Sequence, residues 1–206
     1  MNNERNLAIY RAWAPVYDFV MRPLYGAARR RAIKVLNLQP GERVIVPGVG
    51  TGLDLPLLPH DAHVMATDIN PAMLNKAGAK AQERDVTFVV MDAQALQFPD
   101  ASFDAAILNL ILSVVPDGAA AFREAWRVLR PGGRAVIFDK FLAETSVLSP
   151  FRRVVGYVIA AIGTDPNRRL SDSIGGAPDL VVEQDEPSLL NGQYRIVLVR
   201  KRNNLE

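Results

Sequence analysis

The 206-residue chain has no cysteine. That absence excludes disulfides, thiolate-bound metals and a cysteine nucleophile, and it fits a reducing compartment such as the cytosol. Histidine is nearly absent too. His60 and His63 are the only two; they fall before and at the start of a strand, are read as structural, and no metal site is assigned. No run of 18 or more apolar residues is free of charge, so no membrane-spanning helix is expected. The opening Met-Asn-Asn-Glu-Arg-Asn is polar and does not read as a signal peptide. The chain also lacks internal repeats and low-complexity tracts, and its length favours one domain with a full core.

Charge is present but unevenly placed. The net value is +2. Residues 1–34 carry seven basic side chains against Glu4 and Asp18, a balance of +5. Residues 150–170 carry Arg152, Arg153, Arg168 and Arg169 against Asp165, a balance of +3, which leaves −6 for the remainder. Two basic segments on an acidic body suggest a surface that meets anions, lipid head groups or nucleic acid among them.

Strand and helix patterns alternate. Residues 6–37 read as helical, broken near Pro15 and Pro23. Short β-branched runs at 43–47, 62–68, 86–92, 103–112 and 134–141 read as strands. Helices are expected at 70–83, which opens Asn-Pro, and at 117–130, where Phe122, Trp126 and Leu129 share a face and Pro131-Gly132-Gly133 stops the helix. This order predicts a parallel, doubly wound α/β sheet. Residues 149–165 and 166–174 read as two further helices. Runs at 179–186 and 194–201, joined around Asn191-Gly192, read as an antiparallel hairpin and bring the count to seven strands.

The chemistry begins at Val44–Pro56, Val-Ile-Val-Pro-Gly-Val-Gly-Thr-Gly-Leu-Asp-Leu-Pro, where an apolar strand enters a glycine-rich turn. Gly48, Gly50 and Gly52 let backbone N–H groups approach a ligand where a Cβ would collide. The dinucleotide spacing would need a third glycine at position 53, which is Leu53, and no Lys-Ser/Thr follows, so neither a pyrophosphate nor a nucleoside-triphosphate loop is indicated. Asp68 stands 20 residues after Gly48 at a strand end, where it can accept from ribose hydroxyls. Asp92 ends the next strand and can accept from an adenine amino group. Either acid alone could simply cap a helix. Two of them at consecutive strand ends, after such a loop, predict an adenosine site.

Val-Pro-Gly-Val-Gly-Thr-Gly (46–52), Ala-Thr-Asp-Ile-Asn-Pro-Ala-Met-Leu-Asn-Lys-Ala (66–77), Met91–Asp104 and Trp126–Asp139 together resemble the class I S-adenosylmethionine-dependent methyltransferases over residues 40–141. The resemblance implies a Rossmann-like, seven-stranded, mostly parallel sheet with an antiparallel last strand, helices on both faces and N-terminal lid helices. It implies S-adenosylmethionine as cofactor, with Gly48, Gly50, Thr51 and Gly52 along the methionine part. Asp68 would hold the ribose, Ile69 and Met73 would lie near the adenine, Asp92 and Ala93 would bind its edge, and Asn109 would sit beside the cofactor. The chain departs from the family where an acid usually stands two residues before the first glycine; here that residue is Val46, followed by Pro47. Asp54 would supply the missing charge toward the cofactor, or else cap a helix or face water.

Tyr-Arg-Ala-Trp-Ala-Pro-Val-Tyr-Asp-Phe-Val (10–20) resembles the opening of the subgroup that holds ubiquinone/menaquinone C-methyltransferases and soluble bacterial phospholipid N-methyltransferases, and Trp-Ala-Pro-Val-Tyr-Asp is closer to the latter. The resemblance implies that Tyr10, Tyr17 and Tyr25 line the acceptor site and that Tyr17 also touches the cofactor; Trp13 is an active-site or a core aromatic. Tyr17, Asp18, Asp139 or water would take the acceptor's proton. Residues 1–37 are then lid and membrane-docking helices, and residues 38–206 the catalytic domain with a helical insertion at about 145–176. The expected activity is methylation of phosphatidylethanolamine toward phosphatidylcholine. The enzyme would be cytoplasmic and peripheral on the inner membrane face, with an anionic membrane as partner and no nucleic acid, since no RNA-binding module is appended. A quinone precursor or a small molecule as acceptor, and a non-catalytic binding module suggested by Val46, are the alternatives.

Overall fold

The structure is a computed structural model that describes residues 25–142, 144, 167–177 and 179–203. Tyr10, Trp13, Tyr17, Asp18 and the apolar stretch 147–162 lie outside these residues. The described helices are α1 (25–36), α2 (Pro71–Ala81), α3 (Gly118–Val128) and α4 (Leu170–Ile174). The strands are β1 (Arg43–Pro47), β2 (His63–Asp68), β3 (Val86–Val90), β4 (Phe103–Asn109), β5 (Leu129–Lys140), β6 (Leu180–Pro187) and β7 (Tyr194–Lys201).

These seven strands form one sheet in the order β3-β2-β1-β4-β5-β7-β6. Strands β1 to β5 run parallel to one another. β7 is antiparallel to both β5 and β6, so the expected seven-stranded sheet with a reversed last strand is what forms. The hairpin places β6 at the edge, where Pro187 can sit without breaking a ladder. Its turn takes left-handed backbone at Leu190, Asn191 and Gly192.

Side-chain alternation along each strand builds two cores. Val44 and Val46 of β1 join Ala105 and Ile107 of β4 on one face, under α1 and α2. Ile45, Ala106 and Leu108 face the other way, toward Phe122 and Trp126 of α3 and Leu170 of α4. The helix starts follow from sequence. Asn70 caps α2 by accepting from the Ala72 N–H at 3.0 Å, with Pro71 next. Asp117 caps α3 by accepting from the Ala120 N–H at 2.8 Å.

Several boundaries differ from the sequence reading: β3 ends at Val90 rather than 92, α2 at Ala81 rather than 83, β5 begins at Leu129 rather than 134, and the helix read at 166–174 covers only Leu170–Ile174. α3 ends at Val128, not 130, because Leu129 already pairs with Phe103 of β4 before the chain bulges through Pro131-Gly132-Gly133 and resumes with Arg134 opposite Ala105. β4 ends at Asn109 rather than 112, because Leu110 adopts a left-handed φ of 59° and turns the chain away from the sheet.

α1 is fixed at both ends. Tyr25 packs edge-on to Phe138 and its hydroxyl meets that of Tyr194 at 2.8 Å. At the other end the buried Arg134 of β5 donates to the carbonyls of Leu36 and Asn37, both at 2.7 Å, and forks onto both oxygens of Glu42 at 2.8 Å. Burial is the largest influence on Glu42 and opposes its ionisation, but the Arg134 hydrogen bonds, the Gln39 N–H and the guanidinium charge together outweigh it and hold the carboxyl below its ordinary range. Arg134→Met leaves Glu42 and two helix-end carbonyls without that partner. Urea unfolding at neutral pH should show a loss of about 3 kcal/mol.

Candidate functional site

The carboxyl ends of β3, β2, β1 and β4 stand side by side along the sheet. Loops leaving them border an open cleft of about 980 Å³, open solvent included. The glycines of the first loop serve different ends. At Gly48 a Cβ would fall 2.2 Å from Ile111 Cδ1, and at Gly52 2.8 Å from the Ala77 Cα of α2. Both therefore permit close internal packing. At Gly50 nothing lies within 4 Å of the Cβ position, so this backbone is bare toward the cleft. Lys80 Nζ donates to the Thr51 carbonyl at 2.6 Å and ties the loop to α2.

Asp68, at the end of β2, accepts from the Gly50 N–H through Oδ2 and from the Asn70 N–H through Oδ1, each at 2.9 Å. Its carboxyl titrates above the ordinary value of 3.8 because burial disfavours the charge; the two N–H donors offset part of that cost. Asp92, two residues past β3, accepts from the Gln94 N–H at 2.9 Å. Beneath the loop, Asp54 is buried. Its Oδ2 pairs with Arg29 of α1 at 2.5 Å, and its Oδ1 accepts from Asn109 Nδ2 at 2.9 Å. Asp54 makes no side-chain cap on the short 3-10 turn that follows it, and it does not face water.

Of the residues singled out from sequence, Gly48, Gly50, Thr51, Asp68, Ile69, Met73, Asp92, Ala93 and Asn109 line this one cleft. Gly52 and Asp54 do not line it: Gly52 packs on Ala77 of α2, and Asp54 bonds Arg29 and Asn109, which do. Asp139 and Tyr25 are not brought to it. Asp139 is fully buried and accepts from the Ser113 N–H at 3.0 Å and the Lys140 N–H at 2.8 Å; burial raises its carboxyl well above the usual range. It supports the turn after β4 from below. Tyr25 is spent on the Tyr194–Phe138 cluster.

Three features of the cleft escaped the sequence reading. Arg29 reaches it from α1, 25 residues before Asp54. Asn70 lines it beside its capping role. The turn after β4 contributes Leu110, Ile111, Val114 and Val115 as an apolar wall. Leu110 and Ile111 fall in the apolar run 103–112 that reads as strand, and Val114 and Val115 lie just past it. The Arg168 guanidinium, donating to the carbonyls of Leu112, Val115 and Pro116, holds this wall in place.

Comparison with known proteins agrees with this geometry. The family described as Methyltransferase domain matches residues 45–137. The phosphatidylethanolamine N-methyltransferase of Cereibacter sphaeroides is 31% identical over 197 residues, 94% of this chain and 96% of that protein. The chain belongs to the class I S-adenosylmethionine-dependent methyltransferases. The ubiquinone/menaquinone biosynthesis C-methyltransferase UbiE of Vibrio campbellii is 29% identical over 194 residues, 83% of this chain and 73% of that protein. The crystal structure of YcgJ from Bacillus subtilis superposes with a TM-score of 0.71 at 19% identity, covering 87% of this chain and 99% of that one, and shares the fold.

The methyltransferase cleft fits S-adenosylmethionine on its own residues. Asp68 can accept from the ribose diol, Asp92 from the adenine amino group, and Ile69, Met73 and Met91 offer apolar surface to the base. Two buried polar atoms on the cleft wall, Asn70 Nδ2 and Asn109 Oδ1, have no hydrogen-bond partner among the described residues. One is a donor and the other an acceptor, and a polar ligand would satisfy both. The ends of β3 and β4 are three strand spacings apart, about 14 Å, a span suited to an extended adenosyl amino acid. When bound, the cofactor supplies an activated methyl group; the protein positions it and excludes water.

Hydrogen bonds to a diol need Asp68 ionised, so cofactor affinity is present above its raised pKa and lost as pH falls through it. Calorimetry with S-adenosylhomocysteine should show affinity declining on acidification from a higher pH than an ordinary aspartate would give, and Asp68→Asn should be weak and flat across that range. Gly50→Ala should cost only about 1 kcal/mol of stability for its left-handed backbone yet lose ligand affinity. Gly52→Ala should lose more stability, because its methyl meets the backbone of α2. Urea unfolding and calorimetry on both variants separate these effects.

Proposed function

We propose that the chain N-methylates the amino head group of phosphatidylethanolamine, toward phosphatidylcholine, at a membrane surface. The observation that carries this reading is the end-to-end similarity to the Cereibacter sphaeroides phosphatidylethanolamine N-methyltransferase, which spans nearly all of both chains. The acceptor-selective segments are therefore included in the match, along with the cofactor-binding half that all such enzymes share. The N-terminal Trp-Ala-Pro-Val-Tyr-Asp run points the same way.

The chemistry is an in-line displacement on a sulfonium, so the acceptor nitrogen must be held unprotonated and dry at the methyl. In this proposal Tyr10 and Tyr17 enclose the head group. Aromatic faces favour both the sulfonium and the forming ammonium, by about 0.5–2 kcal/mol per ring. Arg30 and Lys34 stand exposed on α1 and would face anionic lipid, at about 1 kcal/mol for each charge near the surface. Not every arginine of the two basic segments is available for this. Arg29 is committed to Asp54, Arg31 to Glu186, and Arg168 to the turn after β4. Among the described residues no helix is long and apolar enough to cross a membrane, which suits peripheral contact.

The similarity to UbiE supports a second reading, C-methylation of a quinone precursor. One assay separates the two. The protein is incubated with methyl-labelled S-adenosylmethionine and vesicles that contain phosphatidylethanolamine and a demethylated quinol, with and without anionic lipid. Label in monomethyl-phosphatidylethanolamine, faster on anionic vesicles and slowed by salt, is expected. Label in the quinol alone would replace this proposal with the second reading. Label in neither would contradict both.

A further inference from the structure

The unexplained feature of the cleft is the buried triad Arg29–Asp54–Asn109. It unites three separate pieces of chain. Arg29 comes from α1, Asp54 from just beyond the glycine loop, and Asn109 from the end of β4. All three side chains are at least nine-tenths buried. Arg29 and Asn109 line the cleft, while Asp54 lies behind them and accepts from both. Since Asn109 gives its Nδ2 to that carboxylate, its Oδ1 is turned elsewhere, and it has no partner among the described residues. The cleft thus presents a guanidinium from α1 and, from the end of β4, a carbonyl oxygen, the two side chains joined through Asp54. These are complementary to the carboxylate and the ammonium of an α-amino acid.

We propose that Arg29 is the carboxylate receptor of the cofactor site, with Asn109 Oδ1 accepting from the cofactor's ammonium and Asp54 holding both in place. This assignment rests on the methyltransferase reading and goes beyond it. The acid absent at Val46 is supplied from the far side of the loop, by Asp54, and acts through Arg29 and Asn109 rather than by touching the cofactor. Arg29 is therefore a binding residue and Asp54 a positioning residue. Because Arg29 rides on α1, cofactor occupancy also holds the N-terminal helix against the sheet.

The test compares three ligands by calorimetry: S-adenosylhomocysteine, its decarboxylated analogue, and 5′-methylthioadenosine, which lacks the amino-acid end. The unaltered protein should bind S-adenosylhomocysteine at least about tenfold more tightly than the decarboxylated analogue, or about 1.4 kcal/mol. In Arg29→Gln that ratio should fall below about twofold, while 5′-methylthioadenosine affinity stays within about twofold, by the same conversion. Should Arg29→Gln not fold, the double variant R29Q/D54N removes both buried charges together and is read in the same way. A preference for the carboxylate that survives in the variant, or is absent from the unaltered protein, would overturn the proposal. So would an equal loss for all three ligands, which marks a structural role alone. Failure of the unaltered protein to bind any of the three would instead contradict the cofactor reading on which the proposal stands.

Discussion

One carboxylate organises the cleft. Asp68 ends β2 with its two oxygens divided between the Gly50 N–H of the neighbouring loop and the Asn70 N–H at the start of α2. Burial makes the charge costly, and these donors make it tolerable. The consequence is a loop held open at Gly50, where the backbone is bare, and a helix start held against the same strand end. An apolar residue at this position would leave both N–H groups without this partner and the loop without its anchor.

Around that anchor, the parallel sheet does the rest. Parallel strands deliver their carboxyl ends to one edge, and loops of different chemistry gather there. β2 and β3 deliver acids, β1 delivers glycines, and β4 delivers Asn109 followed by an apolar wall. The reversed β7 starts at that same edge, opposite Lys140, and the short turn of its hairpin with β6 lies there beside β5 without lining the cleft. The arginines act as fasteners. Arg134 secures α1 to β5, Arg168 secures the wall after β4, and Arg29 secures Asp54. Part of the positive charge that looks like an anion-seeking surface in sequence, at Arg29 and Arg168, is committed inside the protein.

What was legible in the sequence follows a physical pattern. Local signals held. Short β-branched runs in strands, Asn70-Pro71 at a helix start, and Asn191-Gly192 in a hairpin turn each report a constraint within a few residues. The glycine loop and the acids at 68 and 92 were legible because their spacing is set by the βαβ unit itself. Long-range pairings were not. Nothing near Arg29 predicts a partner at Asp54, and nothing near Asp139 shows that it will be sealed under the Ser113 turn rather than reach the cleft. Leu110 was missed because an aliphatic residue in left-handed backbone leaves no compositional trace; the apolar run around it reads as continuing strand.

The account stands on the claim that one cleft at the carboxyl ends of β1 to β4 holds an adenosyl amino acid in a fixed direction. A crystal structure with S-adenosylhomocysteine measures this directly. The base should lie beside Asp92 and Ala93, the ribose hydroxyls on Asp68, and the amino-acid end across the glycine loop toward Asn109. A ligand bound elsewhere, or running the opposite way along the cleft, would contradict it.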